Sequence, residues 1–384
     1  MSSRAVRAIL PRPLRALIND NDRIWKLLAS RRTERQIEAG VLHSRATRPF
    51  ADIDSRSLSQ TVVTALLEPW RHWDQREKIA VFTGRAFIEP AGGWIICSPG
   101  HLVSNCLIDS YGAPKPSFRD YLLTRLAGRG TVIQEPRLIH LRDRGDTNYW
   151  HFLNDILGGR LRLAHQAGVS ADVPLLLGKR ALKQPFVQEI LRDTPIGRRR
   201  LLIQDDEMFC SREVIHFETP RHSIEAVDFV LSCLGADGGQ ISGNKRVFLS
   251  RLRGSRRTIA NLADIEEVCR RWGFEVVEAE GMSVAEQIKL FSQVRHLVAI
   301  HGAGLTNIMF RRGAKLSLLE IFPATTYLAR GRAYPPPPHY FWLSHACGFH
   351  YEAMFGESST QGDFQSAFEV DPEALEMKIK GMLA

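Results

Sequence analysis

The sequence predicts an α/β fold whose second half is organised on a parallel sheet, and three observations carry that expectation. Strand-like and helix-like stretches alternate with short connections across residues 246–322, the pattern of a parallel sheet covered on both faces. The apolar run 297–300 stops abruptly at His301-Gly302-Ala303-Gly304, ahead of a helix start near Thr306. A weaker alternation over residues 173–177, 184–192 and 200–204 repeats the rhythm earlier in the chain. Ligands on such sheets sit beyond the carboxyl ends of the strands. The loops after Ser250, after Ile300 and around Glu320 are therefore expected to border one cleft.

Residues 1–75 are polar and charged, with weak helical patches. Arg4, Arg7, Arg12 and Arg15 are interleaved with Val6, Ile9, Leu10, Leu14 and Leu17, and Pro11 and Pro13 interrupt any long helix. The segment reads as a basic arm, either solvated or laid peripherally on an anionic membrane surface. It lacks the apolar core of a signal peptide, and the chain has no run of about 18 apolar residues that would span a bilayer. Residues 81–105 read as short strands with turns at Gly84, Gly92-Gly93 and Pro99-Gly100, and residues 131–141 as a strand interrupted by Pro136. Residues 149–166 follow a helical pattern weakened by Gly158-Gly159.

A domain boundary is expected near residues 219–243, which carry a helix over 223–234 and then a glycine-rich stretch. Beyond it come a strand (246–250), a helix capped by Asn261, a strand (274–278), and a helix from 283 to 294 opened by the Ser283/Glu286 capping box. A strand (296–300), a short helix (306–312) and a strand (315–322) complete the alternation. Asp371 and Pro372 open a terminal helix to Leu383. The expected organisation is a basic arm (1–75), an acceptor-side domain (76–225), a nucleotide-binding domain (226–365) and a C-terminal helix (366–384).

Composition narrows the partners. The net charge of +9 favours anions, but the basic clusters lack the interleaved aromatics of a nucleic-acid surface. Cys97, Cys106, Cys210, Cys233, Cys269 and Cys347 are scattered without a Cys-x-x-Cys pair. That argues for a reducing, cytoplasmic setting and against a disulfide framework or zinc site. The chain has no phosphate-binding Gly-x-x-x-x-Gly-Lys-Ser/Thr loop, no Gly-x-Ser-x-Gly elbow and no His-Glu-x-x-His.

Four constellations can carry chemistry. His151 and Asp155, one helical turn apart, suit a general base held by a carboxylate, or simply a pair that steadies the helix. Arg251, Arg253, Arg256 and Arg257 follow the 246–250 strand and can neutralise a diphosphate, because guanidinium forks match phosphate oxygens. His301, Gly302, Ala303, Gly304 and Leu305 form a corner whose amides suit an anion. Thr306 and Asn307 stand as helix caps or nucleoside contacts, and Glu320 as a ribose acceptor or a buried structural acid. No metal ligands are assigned.

In this order, Asn148-Tyr-Trp-His-Phe-Leu-Asn-Asp, Phe248-Leu-Ser-Arg, Arg256-Arg257, Asn261, His301-Gly-Ala-Gly-Leu-Thr-Asn and Leu319-Glu-Ile-Phe-Pro resemble glycosyltransferase family 61. That family includes plant xylan-decorating, animal protein-modifying and bacterial capsular polysaccharide enzymes. The resemblance covers roughly residues 145–325 and departs from the family pattern at Gly158-Gly159. It implies a GT-B-like architecture, two Rossmann-like domains facing a cleft, with the last helix returning to the first domain. It also implies inverting, metal-independent transfer without a cofactor. The donor would be a nucleotide sugar, UDP-linked, and the acceptor a glycan or lipid-linked glycan. Asp155 stands slightly ahead of His151 as the base. The alternative expectation is a non-catalytic nucleotide- or sugar-binding relative in a polysaccharide assembly complex.

Overall fold

The computed structural model describes residues 40–97, 101–103, 106–107, 116, 132–220, 223–236, 243–251, 257–329, 332–358 and 365–384. The arginine-rich start of the chain, Pro99-Gly100, Arg253 and Arg256 lie outside them. The described residues divide into two compact units, one drawn from 1–45 and 76–219, the other from 46–75 and 220–384.

The first unit is built on an eight-stranded sheet. Its strands are β1 (Gly40–Thr47), β2 (Gln75–Ile88), β3 (Ile95–Cys97), β4 (His101–Leu102), β5 (Val132–His140), β6 (Leu175–Gly178), β7 (Leu201–Gln204) and β8 (Met208–Glu218). The order is β4-β3-β2-β8-β5-β6-β7, with β1 on β2. The sheet is mixed. β5 runs parallel to β6 and β8, whereas β2 is antiparallel to β3 and β8. This departs from the uniformly parallel sheet of a Rossmann-like domain.

Local reasons explain the differences from expectation. Gly84 does not end a strand. It takes φ +100 inside β2, where the register with β8 slips between Thr83 and Ala86, as in a bulge. Pro136 does not break β5, because β5 meets β6 only at Ile139 and His140 and the proline sits where that edge is open. Strand β8 escaped the sequence reading because it is buried almost end to end and shows no polar–apolar alternation.

The helical stretch 149–166 is continuous. Its central Phe152–Leu161 is wound as a π-helix and is wholly buried. Gly159 serves that burial: a Cβ there would lie 2.8 Å from the side chain of Thr219. Helix α1 (Pro185–Asp193) completes the unit's alternation.

The second unit holds a fully parallel sheet of β9 (Lys245–Ser250), β10 (Glu275–Glu278), β11 (Val294–Ile300), β12 (Ser317–Phe322) and a later strand, His350–Phe355. A small hairpin, β13 (Tyr327–Ala329) with β14 (Arg332–Tyr334), precedes that last strand, β15. The order β10-β9-β11-β12-β15 puts a topological switch between β9 and β11. The helices are α2 (Ile224–Cys233), α3 (Leu262–Arg271), α4 (Val284–Phe291), α5 (His339–Ala346) and α6 (Pro372–Leu383), with a 3-10 helix at Ala303–Arg311. The capping box of Ser283 and Glu286 is formed. Asn261 precedes α3 but does not cap it with its side chain. Instead it brackets Val370, donating to its carbonyl at 2.8 Å and accepting from its amide at 3.1 Å. Helix α5 had no legible period because residues 340–344 are all buried.

One sheet face packs Phe248, Val298, Ile300, Leu319 and Ile321 against α3 and α6. The family resemblance implies that the last helix, α6, returns to the first domain. Its apolar side chains, Leu375, Ile379 and Met382, lie in this second-unit core. The early segment 46–75 is also part of this unit. Val62, Leu66 and Leu67 are buried, Phe50 stacks on Phe341 at 6.3 Å, Ser59 Oγ donates to Glu352 at 2.7 Å, and Trp70 Nε1 donates to the carbonyl of Pro336 at 3.0 Å.

Because Ile379 is fully buried in this core, Ile379→Ala is expected to cost about 2–5 kcal/mol. Equilibrium denaturation measures it, and a loss below 1 kcal/mol would place α6 outside the core.

Candidate active site

The second unit's cations gather at the switch point. Arg251 leaves the end of β9, and its Nη1 donates to the carbonyl of His301 at 3.3 Å; Nη1 of Arg257 donates to the same carbonyl at 3.1 Å. Arg257 adopts φ +61, an unusual conformation for a residue with a side chain. Its amide is tied to the carbonyl of Gln365 at 3.0 Å. Burial lowers the Arg251 pKa from its ordinary value, with Glu280 opposing. The guanidinium stays charged but is poorly hydrated, which strengthens its pull on an anion. Ser250 Oγ and Arg251 Nε are buried without a hydrogen-bond partner among the described residues.

Gly302 lets that guanidinium approach. A Cβ there would lie 2.7 Å from Arg251 Nη1. The helix begins at Ala303, three residues before the expected Thr306, and its first bond runs from Leu305 N to the carbonyl of Gly302 at 3.0 Å. The amides of Ala303 and Gly304 precede that bond, at the end of a helix that favours negative charge. A Cβ on Gly304 would press on Leu249 Cδ2 at 3.2 Å.

His301 is fixed from several sides. Its Nδ1 lies 2.5 Å from Glu320 Oε1, its ring stacks on Phe322 at 4.8 Å, and Tyr340 leans on it at 5.6 Å. Tyr351 donates its hydroxyl to the other oxygen of Glu320 at 2.6 Å. Burial pushes the His301 pKa down and the Glu320 bond pushes it back up. Glu320 itself is fully buried, with both oxygens engaged by the protein. Thr306 donates to the carbonyl of Ala303 at 2.6 Å, and Asn307 donates to Gln287 Oε1 at 2.7 Å; both are fully buried. The structure thus brings Arg251, Arg257, His301 and Gly302 together and turns Thr306, Asn307 and Glu320 into supports. Tyr340, which leans on His301, and Tyr351, which bonds Glu320, were missed, since no motif near them marks such a partner.

In the first unit, His151 Nδ1 meets Asp155 Oδ2 at 2.6 Å, and Asn154 donates to the other oxygen of Asp155 at 2.6 Å. Asp155 is fully buried, whereas the His151 side chain keeps 28% of its surface exposed. The imidazole is therefore the reachable member, and the carboxylate orients it. Gly145 seats the ring, since a Cβ there would come within 2.7 Å of His151 Cγ. Asn148 caps the helix through a bond from the His151 amide at 3.3 Å.

The loop before this helix rests on buried ion pairs. Arg160 bridges Asp143 at 2.7 Å and the carbonyl of Arg142 at 2.6 Å, and Arg142 lies 3.6 Å from Asp146. Two Asp-x-Asp triplets occur in the sequence, Asp20-Asn21-Asp22 and Asp52-Ile53-Asp54. The first is outside the described residues; in the second, Asp54 pairs with Arg56. Among the described residues, no group of three or more His, Cys, Asp or Glu side chains is placed to hold a metal ion.

Residues 149–316 match the model of the family described as Glycosyltransferase 61, less than half of the chain. The match begins at the His151 helix and ends just before the strand that carries Glu320. No curated protein matches the chain.

Burial pushes the Asp146 carboxyl up to about 6, with the Arg142 charge opposing. The folded group therefore binds its proton more tightly than the unfolded one. Its contribution to stability is full below the ordinary Asp value and is lost as pH rises through about 6, on the order of 2–3 kcal/mol. Denaturant unfolding of wild type and Asp146→Asn across pH 4–7 should show this slope only in the wild type. Parallel curves would remove the effect.

Proposed function

With a glycosyltransferase family 61 domain over residues 149–316 as the premise, we propose that this enzyme moves a sugar from a UDP-linked donor to a glycan or lipid-linked glycan, with inversion and without a metal ion. Surface polysaccharide synthesis of the capsular type, at the cytoplasmic face of a membrane, is the process this reading assigns to it. The observation that carries it is the convergence of Arg251 and Arg257 on the His301 carbonyl beside the open start of the Ala303–Arg311 helix. Absence of a metal is inferred from the family resemblance.

Inversion needs one displacement. The acceptor hydroxyl attacks the anomeric carbon as the bond to the nucleoside diphosphate breaks, and a base removes the hydroxyl proton. In this reading Arg251, Arg257 and Arg256, with the amides of Ala303 and Gly304, stabilise the charge that builds on the leaving diphosphate. His151 is the base. Asp155 holds its ring through Nδ1, which leaves the basic lone pair on Nε2. This reverses the order expected from sequence, and the burial of Asp155 supports the reversal.

Donor hydrolysis and transfer, assayed with UDP-, GDP-, dTDP- and CMP-sugars in chelator, test this reading. UDP-sugars are expected to react in chelator. Arg251→Ala should lower kcat at least about 10²-fold, and His151→Ala about 10²–10⁴-fold in transfer. Full activity of Arg251→Ala would remove the leaving-group argument, and activity that needs an added divalent cation would remove the metal-free one.

A further inference from the structure

The second unit contains a cavity of about 610 Å³, within the range of small-molecule sites. One wall comes from the early segment, with Thr61, Thr64 and Pro69; the other has Tyr334, Pro335 and Phe355. Among the described residues its lining carries no charged side chain. Flat rings and a proline offer stacking faces, and threonine hydroxyls can both donate and accept at the edge of a planar group. Tyr334 keeps 37% of its surface exposed, more than a packing tyrosine needs.

The cavity's position gives it a meaning. Phe355 ends β15 and is paired in register with Phe322, the last residue of β12. Their rings stack at 5.3 Å, and Phe322 stacks in turn on His301 at 4.8 Å. Two ring steps thus lead from the cationic corner to the cavity wall along the carboxyl edge of one sheet. The corner stands at β9 and β11 and the cavity at the end of β15, separated only by β12; neighbouring strands are about 4.8 Å apart. An uncharged, ring-lined hollow next to a cationic rim matches a molecule with a flat neutral end and a doubly charged end.

We propose that this cavity takes the planar base of the donor nucleotide, stacked between Tyr334 and Phe355, while the diphosphate lies against Arg251 and Arg257. The proposal rests on the donor reading above and assigns the nucleoside site that Glu320, Thr306 and Asn307, all buried and engaged, do not provide. The wall formed by Thr61 and Thr64 makes the early segment a specificity element for the base. That segment is held in place by Ser59 on Glu352 and Trp70 on Pro336.

Calorimetric titration of the full chain with UDP, CDP, GDP, ADP and inorganic pyrophosphate tests it. Ala333 lines the cavity and is exposed, so Ala333→Trp fills the space without disturbing the core. Tyr334→Ala removes one stacking face. At least one nucleoside diphosphate is expected to bind wild type ten-fold or more tighter than pyrophosphate. Both variants should erase most of that advantage while leaving pyrophosphate affinity within two-fold. If wild type binds the nucleotide tightly and both variants bind it equally well, the base lies elsewhere and the inference fails while the donor reading stands. If pyrophosphate and every nucleotide fail to bind wild type, both fail. A gain in affinity for a lipid or free sugar, lost in Ala333→Trp without any nucleotide preference, would also overturn it.

Discussion

The rim of the second unit depends on one constraint, the insertion of β11 between β9 and β12 in parallel register. That pairing sets the end of β9, with Ser250 and Arg251, beside His301, and it sets Glu320 on β12 level with Ala299. Chain direction then forces the carbonyl of His301 to leave the sheet at the switch point, where both Arg251 and Arg257 reach it. A single backbone oxygen holding two guanidinium groups keeps like charges close together. A diphosphate placed beside them would meet both positive charges at once.

Behind the rim the side chains act as a scaffold. Tyr351 holds Glu320, Glu320 holds His301, and Phe322 and Tyr340 bracket the imidazole. Every member is buried, so each bond stands in a low dielectric and misplacing one leaves its partner unsatisfied. The first unit uses the same principle with different groups. Asn154 and Asp155 orient His151, Gly145 makes room for the ring, and the Arg160–Asp143 pair holds the loop that precedes it.

Much of the second unit was legible from the sequence. Its strands are short apolar runs and its helices are punctuated by caps, so Ser283/Glu286, Ser223 and Asp371 marked helix starts that the structure contains. The corner at His301–Gly304 and the nearby Arg251 and Arg257 were legible as residue types. Two elements buried almost throughout were not: β8 and α5 show no alternation or period, and the π-winding of 152–161 inside the expected helical stretch left no mark either. For a related reason the sequence left Thr306, Asn307 and Glu320 open between support and ligand contact, and gave Asn261 a side-chain cap that it does not make. A polar residue in sequence looks available to solvent, and only the tertiary structure reveals that Val370, Ala303, Gln287 and His301 have already taken it. The union of segment 46–75 with the second unit is a long-range contact that no local pattern encodes.

The most direct test of the central claim is diffraction from crystals grown with UDP. The account predicts the two phosphate groups within hydrogen-bond reach of Arg251 and Arg257 and of the first amides of the Ala303–Arg311 helix. A structure with UDP bound elsewhere, or with that rim still filled by the protein's own side chains at saturating UDP, would contradict it.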